Sequence, residues 1–406
     1  MHKRIVTALV AAGLASAAGT TAAEKLPAQL PAAGFEARDQ ENSLELPEKD
    51  AAKLRADALA RAMLWLEPPS SVDLRRNPDD ALGGGEAVCK FHPEKSTGQS
   101  PKFECVFEGG EVLKVKYGSS PEVHTEVAAT RLMHALGAGA DRMYLVDTLR
   151  CFGCPEDPYP MLRCFSSPFE ERVRECGQTY GDKTPTGKVV VKVDYAKYHD
   201  FKTVAVERRA EGRAIMANGT TGWGFDEFDD LPAGKGEVLR AERDALRLLA
   251  VLLNNWDNRS DNQRLLCLED GALLADGGCH APLAYMHDVG ATFGHVGGAK
   301  GERKLDVEGW RAAPIWKDRA ACTVSIESPR FHGATFGEAT ISERGRQFLA
   351  DRLRRIDAAQ VRDLFEGARF AQYEDASASS RDVEQWVQAF QDKVREITSG
   401  DPCPTP

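Results

Sequence analysis

Asn254-Asn255-Trp256-Asp257-Asn258-Arg259-Ser260-Asp261-Asn262 is the stretch on which the reading of this 406-residue chain turns. It follows directly on Glu237 to Leu253, an amphipathic helical pattern whose end, Leu246 to Leu253, is almost wholly apolar. A helix with such an end is buried there, so it delivers several Asp and Asn side chains and one Arg to a single place. Further on, behind a short apolar run, stands His287-Asp288-Val289-Gly290. Phosphoryl transfer needs this combination. One carboxylate orients the attacking hydroxyl, while an amide and a second carboxylate hold a metal on the phosphates. A nearby cation offsets charge on the transferred group. The plainer alternative is a polar turn in which Asn and Asp act as caps.

Outward from this stretch, the N-terminal half reads as β-rich and the C-terminal third as helical. Ala51 to Leu66 carries one apolar stripe and predicts a helix stopped by Pro68 and Pro69. Ala87 to His92, Phe103 to Phe107 and Val112 to Tyr117 predict three strands. Ser120, Pro121 and Gly137 bracket a helix, and Met143 to Leu149 is a further strand. Val189 to Val193 and Thr203 to Val206 are also strand candidates, and Ser342 and Asp357 cap helices. This segregation predicts an α+β fold with two lobes.

In Val112-Leu113-Lys114-Val115-Lys116 the two lysines alternate, so both point to one face. Such a pair is a solvated face or a phosphate-binding lysine with a neighbour. Glu126 lies in the following helix, with Glu122 one turn earlier. Lys116 with Glu126 is the favoured ion pair, Lys114 with Glu122 the fallback; surface salt bridges are the bland alternative. Between the first two strands, Lys95 to Lys102 is small, polar and basic, as plain hairpin loops often are. Gly222-Trp223-Gly224-Phe225 reads as packing sooner than as an acceptor groove.

Asp257-x-Arg259-x-x-Asn262 resembles the catalytic loop of the protein-kinase-like superfamily, Asp-x-Lys-x-x-Asn, and His287-Asp288-Val289-Gly290 resembles its Asp-Phe-Gly motif. The two stretches together are similar to those of an uncharacterised family of bacterial kinase-like proteins, related to HipA-type kinases, phosphatidylinositol kinases and secreted Golgi-type kinases. The resemblance runs over about residues 85 to 370 and rests on short motifs. Arg259 departs from the usual Lys, keeping the charge and changing its geometry. Val289 replaces Phe and leaves the metal-binding carboxylate in place. The resemblance implies that Asp257 orients the acceptor hydroxyl, that Arg259 touches the γ-phosphate, and that Asn262 and Asp288 bind Mg²⁺ or Mn²⁺. It implies that Lys116 and Glu126 serve ATP or another nucleotide. Gly98-Gln99-Ser100-Pro101-Lys102 is similar to the short phosphate loop of HipA-type kinases, so Ser96, Gly98 and Ser100 would cradle phosphate. Val204 to Arg209 resembles the last strand and hinge that meet adenine, with Glu207 among them.

The expected organisation follows: a signal peptide (1–23), a linker and N-terminal helix (24–82), a β-rich N-lobe (83–207) with a Cys-rich insertion (150–187), a helical C-lobe with the catalytic and metal loops (208–370), and a C-terminal tail (371–406). His2, Lys3 and Arg4 precede an apolar run from Ile5 to Ala18, as in a cleaved secretory signal, with cleavage after Ala17 or Ala23. The run is short for a membrane span of about 20 residues, and no other segment reads as one. The ten cysteines suit disulfides in an oxidising compartment, periplasmic or secreted. Cys89 and Cys105 flank the first hairpin. No second Cys-x-x-Cys completes a zinc site with Cys151 and Cys154, and His280, His287 and His295 have no zinc-helix spacing. Walker A and Gly-x-Ser-x-Gly motifs are absent. A net charge of -10 argues against nucleic-acid binding. The expected partners are a nucleotide and a hydroxyl acceptor on a protein, lipid or sugar. Export sits awkwardly with ATP, which is scarce outside the cytoplasm. The rivals are a catalytically inactive kinase-fold binding protein and a disulfide-stabilised envelope scaffold.

Overall fold

Strand alternation builds the first half of the molecule. In the computed structural model, which describes residues 43–94, 96, 98–183, 189–230, 236–268, 274, 278–294, 305–326 and 333–404, the N-terminal elements are β1 (Ser43–Glu45), α1 (Ala51–Arg61), β2 (Glu86–His92), β3 (Lys102–Val106), β4 (Val112–Lys116), α2 (Glu122–Leu136) and β5 (Arg142–Phe152). Then come α3 (Pro158–Phe165), α4 (Glu170–Tyr180), β6 (Gly181–Lys183), β7 (Val189–Val191), β8 (Tyr198–Arg208) and β9 (Arg213–Met216). Five of the strands close a barrel in the order β2-β3-β4-β8-β5. Only β2 and β5 pair in parallel; the other pairs are antiparallel. Phe91, Phe103, Leu113, Val115, Tyr144, Val204 and Val206 are buried in one cluster inside it. Because side chains alternate, Lys114 and Lys116 take the opposite face from Leu113 and Val115.

The second half is α5 (Gly236–Leu253), β10 (Gln263–Cys267), β11 (Leu283–Met286), α6 (Val307–Ala312), β12 (Thr323–Ser325), β13 (Glu338–Thr340), α7 (Glu343–Leu353), α8 (Ala358–Gly367), α9 (Ala378–Arg381) and α10 (Val383–Thr398). Its core joins the buried end of α5, Leu248 to Leu253, to residues of α2, α7, α8 and α10. The two expected caps are present. Ser342 accepts from the Gly345 N–H, and Asp357 forms a full capping box with Gln360. The fold is mixed, with helices and sheets in both halves.

Several boundaries differ from expectation. The first helix ends at Arg61 instead of Leu66. Beyond it the backbone pairs at long range, with Met63 N on Pro282 O at 2.8 Å and Leu66 N on Gly137 O at 2.7 Å. Those bonds replace the helical ones, and the apolar stripe was only their burial pattern. The helical second half also contributes β10 and β11 to a four-stranded sheet, β1-β9-β10-β11, completed by two strands of the first half. Its strands are only three to five residues long, too short for alternation to mark them, and β10 and β11 are buried almost throughout. β5 and β8 are longer than predicted because they pair along their whole length, from Arg142 with Arg208 to Phe152 with Tyr198. The Cys-rich insertion folds into the helix pair α3–α4. The expected signal peptide (1–23) and most of the expected linker fall outside the described residues.

All ten cysteines are paired: Cys89–Cys105, Cys151–Cys154, Cys164–Cys176, Cys267–Cys279 and Cys322–Cys403. The first staples the β2–β3 hairpin, as its position suggested. Among the described residues no helix is long and apolar enough to cross a membrane.

Candidate active site

The long helix α5 ends at Asn254, which takes a left-handed conformation with φ 54°. That residue turns the chain sharply out of the core, and Asn is among the few side chains that tolerate it. The loop that follows is fixed by its own amides. Asn258 is fully buried, and its side chain bonds the carbonyls of Asn255 and Phe336, each at 3.2 Å, and the N–H groups of Thr335 and Phe336, each at 3.0 Å. Gly222 lies against the same loop, where a Cβ would stand 1.8 Å from the Ser260 carbonyl oxygen. The Gly222 to Phe225 stretch is therefore packing, with Trp223 and Phe225 fully buried.

Asp257 is buried at 3% exposure, and Arg259 Nε lies 2.9 Å from its Oδ1. Asn262 donates from Nδ2 to the Asp257 carbonyl at 2.8 Å. The Asn262 carbonyl in turn accepts the His287 N–H at 3.0 Å, and Gln263 pairs with Met286 in the β10–β11 ladder. Sheet register thus sets Asn262 beside His287 and Asp288. Beyond Asp288 the chain returns to α5, with Phe293 N on the Leu253 carbonyl at 3.0 Å.

Lys116 stands at the centre of the second group. Its Nζ touches Glu126, lies 3.3 Å from Glu122, 3.2 Å from Asp288 and 4.0 Å from Glu207. Both carboxylates of α2 therefore reach the same lysine, while Lys114 pairs with Glu207 at 2.5 Å. Carboxylate oxygens of Glu122, Glu126 and Asp288 all lie within 4.8 Å of one another. Two contacts lock α2 onto the loop. Thr125 Oγ1 donates to the Gly290 carbonyl at 2.6 Å. Glu122 packs on Gly290, where a Cβ would meet Glu122 Cγ at 2.6 Å. Gly290→Ala is expected to push Glu122 and the start of α2 away, lowering stability by about 1–3 kcal/mol. Urea unfolding checks this; an unchanged midpoint contradicts the latch.

Charge balance follows from these contacts. Burial disfavours the Lys116 ammonium, but Asp288, Glu126 and Glu207 outweigh it and hold its pKa above the usual value. Burial raises Asp288, yet the ammonium groups of Lys116, Lys102 and Lys114 hold it well below the carboxylate range. Burial and nearby Asp288 and Glu207 push Glu126 up to about 7, against the pull of Lys116. Glu207 is opposed by burial and held low chiefly by Lys114, His287 and Lys116.

Sequence reasoning missed Lys102 and Asp141. Lys102 pairs with Lys116 in the β3–β4 register, so both share a face. Burial, with repulsion from Lys114 and Lys116, lowers Lys102 to about 8 despite Asp288. The register of β3 against β4 places it there. Asp141 is hydrogen-bonded to His287 Nδ1, and its other oxygen accepts the Tyr285 hydroxyl at 3.4 Å. Nothing in the local sequence marks that contact, which spans 146 residues.

The loop residues Ser96 and Ser100 are buried, and Gly98 has φ 88°. A Cβ on Gly98 would stand 3.1 Å from Lys102 Nζ, so this loop lies over Lys102. Glu207 is at the end of β8, and from there residues 209–213 border a cleft of about 760 Å³ between barrel and four-stranded sheet. Val112, Lys114, Arg264, Leu266 and Tyr285 also line it.

No family model matches the chain, and no curated protein matches it. Among solved structures, a crystal structure of the Golgi casein kinase with Mn/ADP bound is similar at a TM-score of 0.32 and 12% identity, covering 80% of this chain and 74% of that one. A second crystal structure of the Golgi casein kinase has a TM-score of 0.33 and 12% identity, over 93% of this chain and 85% of that one. Likenesses at this level define no family.

Proposed function

We propose that the protein is an exported, two-lobed kinase-like phosphotransferase that moves a nucleotide phosphoryl group to a hydroxyl. The single observation that carries this reading is the meeting of Lys116 with Glu126 and Asp288, Asp288 being joined through His287 and Asn262 to Asp257. The barrel, 83–207, is the N-lobe and 208–370 the C-lobe, with the nucleotide in the cleft between them. Lys116 holds the α- and β-phosphates and Glu126 orients Lys116. Ser96, Gly98 and Ser100 cover the phosphates, and Glu207 lies toward the base.

Asp257 accepts the proton of the acceptor hydroxyl. The hydroxyl oxygen bonds to the γ-phosphorus as the bridging bond to the β-phosphate breaks, and the nucleoside diphosphate leaves. Arg259 moves from Asp257 to the transferred group. The donor set suits Mg²⁺ or Mn²⁺, since Asp288 offers a hard oxygen in a cluster with Glu122 and Glu126, and Asn262 carries an amide oxygen. Asn262 and Asp288 would hold the ion, which when bound offsets phosphate charge. Ten paired cysteines support an oxidising compartment.

Thermal unfolding with ATP and other nucleoside triphosphates, with and without Mn²⁺, tests the reading. A rise in melting temperature that needs both nucleotide and metal is expected, because ligands that bind only the folded state stabilise it. No metal-dependent shift with any nucleotide would overturn it.

A further inference from the structure

A second cavity, of about 580 Å³, lies outside the cleft, with Ser96 and Gly98 on one side and the α3–α4 helix pair of the Cys-rich insertion on the other. Its wall includes Ser96, Arg163, Ser166, Ser167, Phe169 and Arg172, and none of the residues that line it is acidic. That is unusual in a chain of net charge -10. Two cations without a carboxylate in the wall make a local positive field, which concentrates anions. Arg172 has no ion pair among the described residues, and Arg163 lies over the Tyr159 ring at 5.7 Å. Phe169 is 71% exposed on the rim, the most exposed large apolar side chain described. Ser96 is 7% exposed, and its hydroxyl has no hydrogen-bond partner among the described residues. A buried hydroxyl left so is costly unless something occupies the space beside it.

The insertion is also built onto the candidate site. Tyr117, next to Lys116, donates its hydroxyl to Asp157 and accepts the Tyr159 N–H at 3.0 Å. Tyr159 in turn donates to the Gly98 carbonyl at 2.7 Å. The Cys164–Cys176 disulfide ties the two helices together. One wall of this cavity is therefore the loop that covers Lys102, and the other is a braced helix pair.

We infer that this cavity seats the acceptor, and that the acceptor is an acidic polypeptide segment. The inference rests on the phosphotransferase reading and names its substrate class. Arg163 and Arg172 take carboxylate or phosphate side chains of the segment by charge-assisted hydrogen bonds. Phe169, with Pro160 and Pro168 beside it, takes an adjoining apolar residue. The hydroxyls of Ser96 and of Ser167, which accepts the Phe169 N–H and keeps its own proton, donate to the peptide backbone or an acidic group. A segment held there lies against Ser96 and Gly98, the residues proposed to cover the phosphates.

Fluorescence anisotropy with the full chain tests this directly, without nucleotide. The probe is a fluorescein-labelled peptide of glutamate, serine and leucine; the comparisons are a lysine peptide of equal length, inorganic phosphate as competitor, and vesicles of anionic phospholipid. The acidic peptide is expected to bind, the lysine peptide not. Arg163→Ala and Arg172→Ala should each weaken binding about tenfold, and Phe169→Ser should weaken it without changing its salt dependence. These side chains are exposed, so the variants keep the fold, which the wild-type melting temperature confirms. Equal binding of the two peptides, unchanged affinity in the double arginine variant, or binding to vesicles alone would each overturn the assignment. Nucleotide-and-Mn²⁺ melting on the same variants separates the two claims. A retained nucleotide shift with no peptide binding refutes the acceptor site only, whereas peptide binding with no nucleotide shift refutes the phosphotransferase reading and with it the acceptor role.

Discussion

Asp288→Asn is expected to abolish the nucleotide shift that depends on Mn²⁺, while Asp257→Asn keeps that shift and loses turnover by about 10²–10⁴-fold. The two carboxylates differ in surroundings. Asp288 faces three lysines and has 28% of its side chain exposed. Those lysines hold its carboxyl well below the usual range, which suits a cation ligand. Asp257 is buried beside Arg259 and its backbone carbonyl is fixed by Asn262. The Arg259 guanidinium lies beside its carboxylate, and in the proposed reading that carboxylate takes the proton of the acceptor hydroxyl. Asparagine keeps the shape of each and removes the charge, so neither change opens a cavity. Melting shifts read binding, and phosphate release or transfer to a bound peptide reads turnover. Equal metal-dependent shifts in wild type and Asp288→Asn would remove the metal role. Full turnover in Asp257→Asn would remove the base.

How much of this was legible beforehand depends on whether a contact leaves a local mark. The loop at Asp257 was readable because an apolar helix runs straight into a polar stretch. Lys116 and Glu126 were readable because strand and helix periodicity each select a face. Yet the sequence left Glu122 only as a fallback, and the structure brings both α2 carboxylates to one lysine. A helix turn separates them, and a long lysine side chain spans it. Lys102 needed the register of β3 against β4, which pairing sets and composition does not. Asp141 needed the third dimension altogether. The glycine of His-Asp-Val-Gly has a local reason that no motif states: Glu122 occupies the space of its missing Cβ. The helix pair of the insertion was hidden for a different reason. Its cysteines and prolines read as irregular chain, although a disulfide holds the two helices.

Lys116→Met carries the largest expected effect on stability. Methionine matches the lysine stem in volume and length, so the substitution changes charge more than packing. Lys116 is 1% exposed and faces Glu122, Glu126, Glu207 and Asp288. Removing it leaves those carboxylates together in a buried site, with Lys114 and Lys102 as partial compensation. Breaking a buried pair from one side costs about 3–5 kcal/mol. The cost depends on pH, and its sign can be worked out. Glu126 is already raised from 4.5 to about 7 by burial, even with Lys116 present. A carboxyl raised on folding stabilises fully below its unfolded value and loses that contribution as pH rises through the folded one. Without Lys116 its pKa rises further, and Asp288 loses the cation that does most to hold it low. The deficit of the variant is therefore greatest near pH 8 and shrinks toward pH 5, as the orphaned carboxyls take up protons. Chemical denaturation at the two pH values measures it. Adding Glu126→Gln to Lys116→Met should recover part of the loss at pH 8 and flatten the pH dependence, because one of the uncompensated charges is gone. A deficit equal at pH 5 and pH 8 would mean that Lys116 contributes packing alone. The carboxylate cluster would then owe its low Asp288 pKa to Lys102 and Lys114, and the nucleotide role would pass to those two lysines.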